Sequence, residues 1–150
     1  MMRRSVPGLV FLLAACGPGA PPPPPPLATI QPEPIDYFDI KNNELYGAGC
    51  NFVAADGGMS ALVLAQEKEA ILKLKGKIVR IPADKKSQIL PETARTRYLG
   101  PDRILILAPL PGAKPIENGV IQSMGTSLTI LDPQGRIQFF TKGQVQCKPM

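Results

Sequence analysis

Chemistry at a protein site needs a base, a nucleophile or a set of metal ligands, and this sequence offers few of each. Histidine is absent. That removes the commonest general base and the commonest zinc ligand, and with them any Ser-His-Asp or Cys-His nucleophile system. Paired carboxylates could move protons, and the nearest pairs are Glu67 with Glu69 and Asp36 with Asp39. Glu67-Lys68-Glu69 has the composition of an exposed turn and Asp36–Asp39 that of a polar lead-in, so both read as surface charge. Asp56-Gly57-Gly58 supplies one carboxylate where a calcium loop needs several oxygens, and it reads as a turn. Gly57-Gly58 also lacks the spacing and the lysine of a phosphate-binding loop. No catalytic residue, metal ligand or cofactor site is expected, and the chain reads as a non-enzyme. What remains is a basic and aromatic group, Arg95, Arg97, Tyr98 and Arg103, and Lys142 within Phe139-Phe140-Thr141-Lys142-Gly143. For Arg97 and Lys142 two readings compete: a solvated face with snorkelling stems, or groups that meet a partner.

The first sixteen residues, MMRRSVPGLVFLLAAC, carry the clearest signal. Arg3 and Arg4 precede an apolar run from Val6 to Ala15, broken only by Pro7 and Gly8. This is the layout of a secretory signal, and it is shorter than the about 20 apolar residues that span a bilayer. Leu13-Ala14-Ala15-Cys16 resembles the lipobox of bacterial lipoproteins. The resemblance implies removal of residues 1–15, acylation of Cys16 and anchoring to a membrane of the cell envelope. Gly17, standing where the familiar sorting pattern would have Asp, implies the outer membrane, with the domain in the periplasm. Acylation would also resolve the odd cysteine count. With Cys16 taken, Cys50 and Cys147 remain, and in an oxidising compartment they are expected to bridge. Two independent buried thiols are the alternative.

The elements that must position these residues follow from composition and spacing. Residues 16–36 form the lipidated cysteine and a linker, with Pro21–Pro26 unbroken and Pro32 and Pro34 after it. Such a run favours the extended polyproline helix, about 3.1 Å per residue, and serves as a semi-rigid spacer. Residues 37–150 are long enough to bury one modest core. The formal charge of +5 falls to +3 once Arg3 and Arg4 leave, with 15 basic against 12 acidic residues well mixed. Lys73, Lys75, Lys77 and Arg80 alternate with apolar residues, as the wet face of a strand does. Nucleic-acid binding needs a concentrated basic face, so no nucleic-acid partner is expected.

Within 37–150 the pattern is that of strands. Tyr46, Ala48, Cys50 and Phe52 share one face of a first strand over 45–54. Ser60–Lys75 reads either as one helix capped by Ser60 or as two strands, 61–66 and 70–75. The alternation of Leu72 and Leu74 with Lys73 and Lys75, continued through Val79 and Ile81, favours a β-meander. Short strands are also expected near 87–90, 94–99 and 103–108. Residues 109–119 read as a loop, and 125–131 as a strand. Asp132-Pro133-Gln134-Gly135 suits a type I turn. Strands over 136–140 and 144–147 follow, separated by Lys142-Gly143. Seven or eight short strands predict an all-β fold, a small antiparallel barrel or sandwich. A Cys50–Cys147 bridge would tie the first strand to the last and so close it.

Two resemblances bear on function. Thr96-Arg97-Tyr98 and Phe140-Thr141-Lys142-Gly143 resemble the two short motifs of small β-barrel lipoproteins that inhibit C-type lysozymes. In that family an exposed lysine enters the acidic cleft of the enzyme. The resemblance implies that role for Lys142 and a partner-facing place for Arg97 and Tyr98. Glu92-Thr93-Ala94 departs from the family's Ser-Gly-Ala, and Cys147 follows the lysine motif sooner than the family's closing cysteine. The chain as a whole is similar to small envelope lipoproteins of alphaproteobacteria, through Gly49-Cys50-Asn51-Phe52 and Gly76-Lys77-Ile78-Val79-Arg80. That likeness implies an address and no activity. The expected function is a non-catalytic binding or structural module of the envelope, of unknown partner, with an envelope protein or a lysozyme-type enzyme as the candidates. The alternative is an inhibitor of a lysozyme-type wall-degrading enzyme.

Overall fold

The computed structural model describes residues 17–23 and 29–149. The signal stretch 1–15, the acylation site Cys16 and Pro24–Pro26 of the proline run lie outside the described residues. One short helix, α1 (Tyr37–Asn42), precedes nine strands. They are β1 (Gly49–Ala54), β2 (Val63–Gln66), β3 (Glu69–Leu74), β4 (Lys77–Pro82), β5 (Arg97–Leu99), β6 (Ile104–Pro109), β7 (Ile116–Asn118), β8 (Ile121–Leu131) and β9 (Ile137–Lys148). All pair antiparallel in one sheet of order β4-β3-β2-β1-β9-β8-β6-β5, with β7 beside β8. The sheet curls until its two edges meet: Ala83 bridges Tyr98, and the Asp84 N–H donates to the Arg97 carbonyl at 3.0 Å. The result is an all-β, nearly closed barrel.

Alternation fills it. Cys50, Phe52 and Ala54 of β1 point inward, as do Val63 and Ala65, Ala70 and Leu72, Ile81, Leu105 and Leu107, Leu128 and Ile130, and Val145 and Cys147. Most are fully buried, and each large one contributes about 1.5–3 kcal/mol to folding. The Cys50–Cys147 disulfide is formed, and the two residues are direct cross-strand partners. The bridge therefore staples β1 to β9 in the middle of the sheet order, and the closing seam runs along β4 and β5.

Ser60–Lys75 folds as the expected meander. Its helix-like ambiguity has a physical source, because β2 and β3 are buried on both faces. Leu64 and Ile71 point outward into a second small cluster with Ile35 and Leu45, flanked by Ile40 and Ile78. This cluster is covered by α1 and the segment before it. Asp36 and Asp39 build a reciprocal capping box: each backbone N–H donates to the other's carboxylate at 2.9 Å. The Lys73 ammonium then fastens the helix to β3 through Asp39 Oδ2 at 2.9 Å. Hydrogen bonding from the Asp36 N–H, and then from Lys73, holds the Asp39 carboxyl below the usual carboxylate range. The packed region starts before Tyr37. The Glu33 N–H donates to the Lys73 carbonyl, the Ile35 N–H donates to the Ala61 carbonyl, and Ile35 is buried. These residues belong to the domain, because they cover apolar side chains on the outside of β2 and β3.

The final hairpin also differs in part from expectation. Asp132–Gly135 does form the turn, with the Gly135 N–H donating to the Asp132 carbonyl at 3.0 Å. Gly135 takes φ +81°, which closes the loop, and the register slips by one residue at Gln138, between the Ile130–Phe139 and Leu131–Ile137 pairs. Burial pushes the Asp132 carboxyl up, but the Arg136 backbone and side chain, with the Gln134 N–H, bind the charged form and hold it below its ordinary value. The two strands expected over 136–140 and 144–147 are one continuous β9, and Lys142-Gly143 does not interrupt it. Within 109–119 the chain adds β7, and 87–90 contributes only an isolated Ile89–Arg95 bridge.

Candidate functional site

The carboxylate pairs are accounted for by structure. Asp36 and Asp39 cap α1. Glu67 is exposed in the β2–β3 turn, and Glu69 is paired with Arg80 on the outside of the barrel. Asp56-Gly57-Gly58 is an exposed turn. Among the described residues, no three Cys, Asp or Glu side chains come together as metal ligands, and no helix is long and apolar enough to cross a membrane.

The three residues expected to face a partner separate into two kinds. Tyr98 is not on the surface. It is fully buried, on the inward face of β5 opposite Leu105. Its hydroxyl donates to the Gln66 carbonyl at 2.8 Å and accepts from the Arg95 N–H at 2.8 Å. Desolvation pushes the phenol up to about 12. The reason is alternation: a three-residue strand between exposed Arg97 and Leu99 must turn its middle side chain inward. Tyr98 thus ties the β5 edge across the seam to the end of β2. Tyr98→Phe should leave the half-buried Gln66 carbonyl and Arg95 N–H without their hydroxyl partner, lowering stability by about 1–3 kcal/mol as read by urea denaturation.

Arg97 and Lys142 both point outward and do not meet. Arg97 is in register with Ile106, Thr129 and Phe140, so two strands stand between β5 and β9. At the usual strand spacing, three steps make about 14 Å. Lys142 is opposite Ser127, one outward position along β9 from Phe140. It stands at the rim of a groove of about 410 Å³ between the β1 end and Leu110, floored by Gly125 and Gly143. The groove's lining contains no carboxylate, and Lys142 is its one charged side chain.

Between the two cations is a feature that sequence reading missed. The outward residues of β5, β6, β8 and β9 include Leu99, Ile104, Ile106, Leu131, Ile137 and Phe140. None of them belongs to either core cluster. Leu99, Ile137 and Phe140 are 40%, 56% and 52% exposed, and Ile104, Ile106 and Leu131 are half-buried. The opposite half of the barrel hides its outward Leu64 and Ile71 under α1, whereas this half presents its apolar residues. The only signal in the sequence was the unbroken run Ile104–Ala108, apolar at inward and outward positions alike. No protein-family model, no curated protein and no solved structure matches this chain.

Proposed function

We propose that the chain is a non-catalytic binding module of the bacterial cell envelope, held to the outer membrane through an acylated Cys16, with its β domain in the periplasm. The observation that carries the binding reading is the uncovered apolar face of β5, β6, β8 and β9, flanked by Arg97 and Lys142. Contiguous apolar surface with a polar rim is what protein partners cover, and the two cations suit an envelope protein with acidic residues around an apolar centre. The buried Cys50–Cys147 disulfide supports the address, since such bridges belong to oxidising compartments. The proline run would act as the spacer between anchor and domain.

Two measurements test this. Cys16→Ser should shift the protein from the membrane pellet to the soluble fraction. Several acyl chains, each buried CH₂ contributing about 0.8 kcal/mol, hold firmly, and their loss leaves nothing comparable. In a pull-down from the protein's own envelope, Phe140→Asp should reduce recovery of the wild-type partner at least tenfold, as expected for a central apolar contact. Retention of Cys16→Ser in the pellet would refute the anchor, and undiminished recovery by Phe140→Asp would refute the face.

A second reading, inhibition of a lysozyme-type wall-degrading enzyme, draws on the Phe140–Gly143 motif and on the exposure of Lys142 beside a groove. It is the weaker of the two, because Lys142 stands in mid-strand rather than on a protruding loop, and Tyr98 is sealed in the core. Under this reading the protein at micromolar concentration should slow cell-wall lysis by hen-type lysozyme, and Lys142→Ala should abolish the effect.

A further inference from the structure

The end of the barrel at the β3–β4 hairpin opens into a groove of about 640 Å³. Its floor is apolar: Leu74 of β3, Val79 of β4, and Ile30 from the segment that leads into the domain. All three pack against the inner core cluster. Three cations surround this floor, Lys75 and Lys77 from the hairpin and Arg103 from the opposite side of the seam. Glu33 is the one carboxylate in the lining, and its Oε1 already accepts the Gly76 N–H at 2.9 Å. Among the described residues the ion pairs are Lys73–Asp39, Arg80–Glu69 and Arg136–Asp132, so none of the three cations is neutralised by a carboxylate.

Arg103 is half-buried at the edge of this groove. Its Nε is buried and has no hydrogen-bond partner. That Nε is closed to any ligand, but the half-buried guanidinium keeps a positive charge at the groove with no carboxylate of its own, and an incoming anion would pair with it in a charge-assisted contact. The floor beneath it excludes a bare inorganic anion as the natural occupant, since Leu74 and Val79 would remain wet. A chain-like apolar body with one anionic end satisfies both parts at once. The groove has the size of ordinary small-ligand sites, and barrel mouths are a usual place for them.

We propose that this mouth binds a single-chain anionic amphiphile, its acyl chain lying on Ile30, Leu74 and Val79 and its carboxylate meeting Arg103, Lys75 and Lys77. The site does not involve the apolar outer face or Cys16, so it stands or falls separately from the function proposed above.

Isothermal titration of the full chain with laurate, kept below its micellar range, should show saturable one-to-one binding. Dodecanol, the same chain without charge, and acetate, the same head without the chain, should each bind at least tenfold more weakly. Arg103→Gln should weaken laurate at least tenfold, the loss expected for one charge-assisted hydrogen bond. Thermal melting of the ligand-free variant checks that it is folded. If Arg103→Gln does not fold, Lys77→Gln, at an exposed strand end, carries the test with a loss of about threefold or more, as expected for a more solvated charge. The proposal is overturned if laurate shows no saturable binding, if dodecanol or acetate binds as well as laurate, or if the folded cation variants bind laurate as the wild type does.

Discussion

Removing the Cys50–Cys147 bridge should cost about 4 kcal/mol of stability, the largest loss expected from any single covalent change in the domain. The two residues are 97 positions apart. In the chain-entropy account, a loop of that length restricts the unfolded chain by about 4–5 kcal/mol. Small domains have roughly 5–15 kcal/mol in total, so the bridge is a large share. Cys50→Ala/Cys147→Ala is the cleaner variant, because serine would place hydroxyls among Phe52, Val145 and the other inward side chains. Its melting temperature should fall by on the order of 15 °C. Both cysteines are about 1% exposed, so reductant should reach the sulfurs only when the β1–β9 pair opens. Alkylation of the native protein should accordingly label neither Cys50 nor Cys147, and reduction in urea should release both. A double variant melting within two degrees of the wild type would show that the bridge does not carry this load.

Gly143→Ala should be nearly as damaging, although it adds one methyl group. Gly143 is paired with Ala54 of β1 on one side and Thr126 of β8 on the other. A Cβ at Gly143 would be 2.8 Å from the Ala54 Cα and closer still to the Val53 carbonyl oxygen. These are backbone atoms, held by the ladder and by the nearby bridge, and they cannot swing aside as a side chain would. The strands must separate, at a cost of about 3 kcal/mol or more. Denaturant unfolding should show a lower midpoint with an unchanged slope. Lys142→Ala, the neighbouring change, removes an exposed cation and should change stability by less than about 0.5 kcal/mol. Comparison of the two separates a structural role of this motif from a binding role.

The contrast within Lys142-Gly143 shows how much was legible. In the sequence, a glycine between two alternating segments reads as punctuation, and the segments read as two strands. In the structure, the glycine is inside one long strand, where the paired β1 backbone lies so close that there is no room for a side chain. Nothing within five residues of Gly143 could reveal that, since the close backbone is that of Val53 and Ala54 in the neighbouring strand. Tyr98 repeats the lesson. Its neighbours Arg97, Arg103 and Arg95 made it look like part of a basic, partner-facing group. Its hydroxyl is instead consumed by Gln66, a residue 32 positions away that comes near only when the sheet curls and the seam forms.

By itself, the sequence determined whatever depends on short-range spacing and on counting. The alternation after Ala70, the Asp132–Gly135 turn and the close spacing of turns made the domain all-β. Three cysteines, one of them matching a lipobox, left Cys50 and Cys147 as the pair that the structure joins. The absence of histidine narrowed the chemistry before any fold was known. Tertiary structure alone decided which faces were covered. It put α1 and Ile35 over the outside of β2 and β3, left Leu99, Ile137 and Phe140 exposed on the other side, and gathered Ile30, Leu74, Lys77 and Arg103 around one mouth. The reason is that alternation fixes that a strand has two faces, but what lies across each face is supplied by residues far away in the chain. A binding surface is made of those long-range meetings, and so it appears only when the sheet closes.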